Sequence, residues 1–143
     1  MAPWLRGGLV AIAVCFAAVF GVAFWLNPYT EDGSARTMAT HRQLGLPPCS
    51  FVEATGLPCP SCGMTTSFSL LAHGDVVNSL RANWVGTMLA VACLAYIPWA
   101  VVSVVRGRTL FFRSLEKVMV GFVVALLALM LLRWGLVVGL GLW

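Results

Sequence analysis

Three long blocks of the chain are almost wholly apolar, and polar residues are confined to the stretches between them. Residues 9–26, LVAIAVCFAAVFGVAFWL, carry no charge, and Asn27 and Pro28 then stop the run. Between Arg81 and Arg106 charge is absent again, and Trp84 opens a run that closes with Val104 and Val105. A third block follows Lys117 and reaches Trp143, interrupted by Arg133 alone. A helix needs about 20 apolar residues to cross a bilayer, and each block supplies that length. The pattern predicts an all-α membrane protein of one domain, with transmembrane helices over about 8–26, 84–105 and 117–140. Pro98 lies within the second block, and because proline lacks a backbone donor, a kink supported by neighbouring helices is expected there.

Composition agrees with lipid as the solvent. Hydrophobic residues make up 60% of the chain and charged residues 10%, against about 25% charged in a soluble domain. The net charge of +4 comes from basic residues that sit beside the apolar blocks. They form no stripe with exposed aromatics, which argues against nucleic acid as a partner and for the bilayer and its anionic headgroups.

Lys and Arg near span ends are retained on the cytoplasmic side. The loop after the second block holds Arg106, Arg108, Arg113 and Lys117, and Arg6 precedes the first. The N-terminus is therefore expected in the cytoplasm of a bacterial cell, in the inner membrane, with the connection 27–83 on the outer face. Arg36, Arg42 and Arg81 in that connection are accompanied by Glu31, Asp32, Glu53 and Asp75. The first block is longer than the apolar core of a signal peptide and no A-x-A site follows it, so it is expected to remain as an anchor.

The chemistry is concentrated in the outer connection. Residues 27–48 are polar and turn-rich, an irregular tether or partner-binding loop at the membrane surface. Cys49, Cys59 and Cys62 then follow within fourteen residues, while Cys15 and Cys93 fall inside spans as ordinary small apolar residues. After Cys62, residues 63–71 predict a short helix that Gly74 ends in a left-handed conformation. Asp75 then caps a second helix. Val76, Val77, Leu80 and Trp84 lie on one of its faces, so it is expected to lie on the membrane before entering it. Cys59 and Cys62 thus precede a helix N-terminus, where free backbone N–H groups and the helix dipole favour a thiolate.

Residues 49–83 resemble a family of small bacterial integral membrane proteins, classed only as a domain of unknown function, with a C-P-x-C-G-x-T motif between the first and second transmembrane helices. The matching residues are Cys49, Phe51, Gly56, Pro58, Cys59, Pro60, Cys62, Gly63, Thr65, Gly74, Asp75 and Asn83. Many members of the family follow the threonine with arginine, whereas Thr66 stands here. The resemblance implies membrane residence and the cysteine motif, and no reaction.

Two chemistries suit the cysteines. A C-P-x-C-G turn resembles a zinc knuckle, in which two thiolates grip one ion and the glycine allows the tight turn. Cys49 would be a third ligand and His41 or His73 a fourth, holding zinc, or less readily copper or iron. Alternatively, the CPSC dithiol at a helix start resembles that of thioredoxin-like redox proteins, with Cys59 and Cys62 as the reacting pair. A purely structural disulfide from Cys49 is the bland third case. Metal binding is favoured narrowly, in an accessory or scaffolding role rather than an enzymatic one. Other membrane proteins or further copies of the chain are the expected protein partners.

Arg133 falls in the outer leaflet of the third span and is expected to reach the headgroups beside Trp134. The alternative places it beneath the cysteine loop, stabilising thiolates or an anionic substrate. Trp4, Trp25, Trp84, Trp99, Trp134 and Trp143 sit mostly near span ends, as interfacial anchors do. No Ser-His-Asp set, phosphate-binding loop or nucleotide fingerprint is present.

Overall fold

Pro3 stands at the first turn of the first helix, where its missing N–H costs nothing and its φ is already helical. From there α1 runs over Pro3–Trp25 in a computed structural model that describes residues 2–108 and 115–141. Four more α-helices follow: α2 (Ser50–Thr55), α3 (Met64–Ala72), α4 (Val76–Arg106) and α5 (Leu115–Gly139). Among the described residues there is no strand beyond an isolated bridge between Tyr29 and Ala35. Three helices are long and apolar enough to cross a membrane: Pro3–Trp25, Val76–Arg106 and Lys117–Gly139. Arg113 and Trp143 lie outside the described residues.

Helix α1 packs along α4 through small side chains, which let two apolar helices approach where no hydrophobic driving force separates protein from lipid. Leu9 and Ala13 meet Ala100, with Tyr96 and Trp99 around them. Nearer the other end, Ala23 and Ala90 enclose Phe68 of α3, whose ring stacks on Phe20 at 5.5 Å. The rest of α1 and α4 and nearly all of α5 leave their apolar side chains uncovered, as helices facing lipid do.

The packing sorts the chain's charges by end. Arg6 donates to Val104 O at 3.3 Å, laying a cation on the C-terminus of α4, where the helix dipole favours it. Arg106 and Arg108 follow at that same end. The cysteine-bearing connection lies at the opposite end, with the last turns of α5 beside it.

That connection is folded where the sequence predicts an irregular tether. A 3-10 helix spans Thr40–Leu44, and the side-chain amide of Gln43 brackets the backbone of Asn27, accepting from its N–H at 3.0 Å and donating to its carbonyl at 2.5 Å. Thr40 is fully buried, its hydroxyl 2.9 Å from that of Thr66 on α3. The predicted short helix is α3, followed by Gly74 at φ 82 and by Asp75, which accepts from Asn78 N at 3.2 Å and so caps α4. Helix α2 was not expected from periodicity, being only six residues long.

Helix α4 departs from helical dihedrals at Asn83 (φ −161, ψ 98) rather than at Pro98. The break separates its first turns, residues 76–82, from the long apolar stretch that follows. The extended backbone makes Asn83 the N-cap of that span. Its Oδ1 accepts from Gly86 N at 3.0 Å, three residues on, as an N-cap amide does.

Candidate metal centre

Two short pieces of backbone bring the sulfurs together. Cys49 is the N-cap residue of α2. Cys59 and Cys62 flank a tight turn closed by Cys62 N to Cys59 O at 3.0 Å, and the chain then enters α3 through Gly63 at φ 82. Glycine is required at that position for two reasons. The left-handed conformation disfavours any side chain. A Cβ would also stand 2.7 Å from Ala82 O and 2.8 Å from Thr37 O, backbone atoms that cannot swing aside.

The Sγ atoms of Cys49, Cys59 and Cys62 all lie within 4.8 Å of one another, each half-buried and none in a disulfide. Tetrahedral zinc thiolate sites, with Zn–S about 2.3 Å, space their sulfurs about 3.8 Å apart, so this group could hold a metal ion with small side-chain adjustments. Cys62 Sγ accepts from Cys59 N at 3.1 Å, and the two sulfurs touch at 2.9 Å. Burial raises the Cys59 thiol, but hydrogen bonds from Cys62, Ser61 and Cys49 outweigh it and hold the group below its ordinary value. Burial and the bond to Cys59 push Cys62 up to about 12. A cation between them would favour thiolate at both.

The sulfurs line a cavity of about 420 Å³ whose wall also includes Met38, His41, Arg42, Glu53 and Met64. Of the two histidines named from the sequence, His41 is on that wall. His73 is not brought to the sulfurs. It follows the last residue of α3, a helix of nine residues and so about 13 Å from end to end, while Cys62 precedes the first. Its ring stacks on Phe24 at 5.1 Å and its Nδ1 lies 2.8 Å from Ser69 O.

Arg133 has a partner within the protein: its Nη2 donates to Ala82 O at 3.0 Å, at the end of the bundle that carries the cysteines. The physical reason lies in the break at Asn83. In an unbroken helix Ala82 O would accept from Gly86 N, but Asn83 Oδ1 takes that donor, and the orphaned carbonyl needs another. The neighbouring Trp134 donates its indole N–H to Pro58 O at 2.7 Å, one residue before Cys59, and its ring meets Phe51 of α2 edge-on at 6.3 Å. Asn83 Nδ2 reaches Cys62 O at 3.1 Å. The cysteine turn is therefore held from α4 and α5 together. Asn83 belongs to the motif read from the sequence but takes its role from these two bonds, and Arg133 stands on the cysteine side of the bundle, as the second of its two readings has it.

Residues 49–97 match the family described as protein of unknown function (DUF2752). No curated protein and no solved structure matches the chain. The matched stretch is about a third of the chain, and it takes in all three clustered cysteines, Gly63 and Asn83. His41, Arg133 and Trp134, which approach the cysteines from either side, fall outside it.

Proposed function

We propose that this chain is a multi-pass membrane protein that holds a metal ion, zinc in the first instance, through Cys49, Cys59 and Cys62, with His41 as fourth donor. The convergence of three thiols from two separate backbone segments carries this reading. Thiols so placed gain little from one another as neutral groups, whereas three thiolates around one cation satisfy each other through it. Copper(I) or iron would be the less favoured occupants of the same sulfur set. The bound ion would brace the outer connection, giving an accessory or scaffolding role beside other membrane proteins or further copies of the chain. The basic residues at the far end of α1 and α4 support an N-terminus in the cytoplasm and a metal centre on the outer face of a bacterial inner membrane.

Contact between the Cys59 and Cys62 sulfurs at 2.9 Å supports a second reading, a thiol–disulfide redox pair. Metal analysis and thiol counting on protein purified in mild detergent, with and without reductant, separate the two. Stoichiometric metal with three protected thiols, lost in Cys59→Ser, is the expected result. A metal-free protein whose Cys59–Cys62 disulfide forms and reduces reversibly would replace metal binding by redox exchange.

A further inference from the structure

An arginine within a helix apolar enough to cross a membrane is costly unless something at that place needs its charge, and a hydrogen bond to a carbonyl needs none. Trp134 and Asn83 already hold the cysteine turn with neutral donors. The carbonyl of Ala82 could equally be met by an uncharged amide. What is particular to Arg133 is the neighbourhood of that carbonyl: Ala82 O lies 2.7 Å from where a Cβ of Gly63, the residue after Cys62, would stand, and the next residue, Asn83, holds Cys62 O at 3.1 Å, so the guanidinium sits against the cysteine turn. On the wall of the cavity itself stand Arg42 and Glu53, of opposite sign and both exposed to solvent, which screens them. The half-buried Arg133 is screened far less.

Three thiolates around a divalent ion leave one net negative charge, and a charge removed from water is tolerated when a partner of opposite sign lies beside it. Resting on the metal reading above, we propose that Arg133 is the charge partner of the thiolate centre and that it tunes the centre to a divalent ion. With Arg133 in place a divalent tris-thiolate centre is neutral, and a monovalent ion such as copper(I) leaves it negative. Arg133 touches no metal; it selects among thiophilic ions by their charge.

Full-length protein, reduced and metal-free in detergent, is titrated with Co²⁺, followed by its thiolate charge-transfer absorption, and with Ag⁺ as a redox-stable monovalent thiophile. Arg133→Gln is expected to lower Co²⁺ affinity by about tenfold or more relative to Ag⁺, the range by which groups surrounding the ligands alter metal binding. Arg133→Lys, which keeps the charge, should restore most of the ratio. Equal loss for both ions would mark a purely structural contact and overturn the proposal, as would an unchanged ratio. Should Arg133→Gln fail to fold, Arg133→Met, which keeps the apolar stem and removes the charge, is titrated in the same way: Co²⁺ affinity should fall relative to Ag⁺, and an unmoved ratio again overturns the proposal. If the wild-type protein binds neither ion, the metal reading itself fails, an outcome distinct from every result in which it binds and the ratio stays put.

Discussion

One buried amide joins the cysteine turn to the membrane helix. Asn83 is 1% exposed, its carbonyl oxygen caps the transmembrane part of α4, and its NH₂ holds Cys62 O. Replacing it with alanine removes a cap and leaves a backbone carbonyl short of a partner, losses that together come to about 2 kcal/mol. Thermal unfolding of Asn83→Ala in detergent should show that loss, and Asn83→Ser, which can still cap, should lose less; equal stability of Asn83→Ala and wild type would show that the break at residue 83 needs no cap. At the same scale the glycine of the C-P-x-C-G motif finds a reason beyond turn geometry. The carbonyl of Ala82 that a Cβ at Gly63 would strike is the one that Arg133 binds, so turn, helix break and arginine meet at a single oxygen.

Among elements, the start of α4 is tied down by its N-cap and by the connection that precedes it. Asp75 accepts hydrogen bonds from the Asn78 side chain at 2.8 Å, from Asn78 N and from the Tyr29 hydroxyl at 3.3 Å, and these hold its carboxyl below the usual carboxylate range. A carboxyl whose folded value is depressed stabilises the folded state fully above its unfolded value of about 4, and the contribution fades as pH falls through the folded value. Acid unfolding of the wild type should therefore steepen below pH of about 4, while Asp75→Asn, still able to cap, should lose that limb of the profile; superimposable profiles would remove Asp75 from the account. Helix α5 illustrates the opposite economy. Its flanks are uncovered over nearly their whole length, and two adjacent residues near its C-terminal end tie it down, Arg133 to Ala82 O of α4 and Trp134 to Pro58 O beside the cysteine turn.

For the whole molecule, the arrangement separates a basic end from a thiol end, with three apolar helices between them. If the basic end is cytoplasmic, a membrane-impermeant maleimide applied to intact cells stripped of metal should label Cys59. A cysteine introduced by Arg108→Cys should react only after the membrane is permeabilised. The reverse pattern would invert the topology and put the metal centre in the cytoplasm. Metal added before labelling should protect Cys59, which ties the topological test to the chemical one.

Much of this was legible along the chain because it depends on local regularities. Runs of about 20 uncharged residues can hardly be anything but spans, and Gly74 followed by Asp75 marks a helix end and a helix start in two letters. The cysteine spacing likewise exposed a possible ligand set, including His41 and His73, between which spacing had no means of choosing. Tertiary structure separates them, because the length of α3 puts His73 at its far end while a fold of the tether brings His41 to the wall of the cavity that the sulfurs line. It also decided the place of Arg133, fifty-one residues from the carbonyl it binds. A side chain's depth in a span follows from counting residues, but its direction follows from which neighbour has lost a hydrogen-bond donor, and that neighbour is known only once the helices are packed.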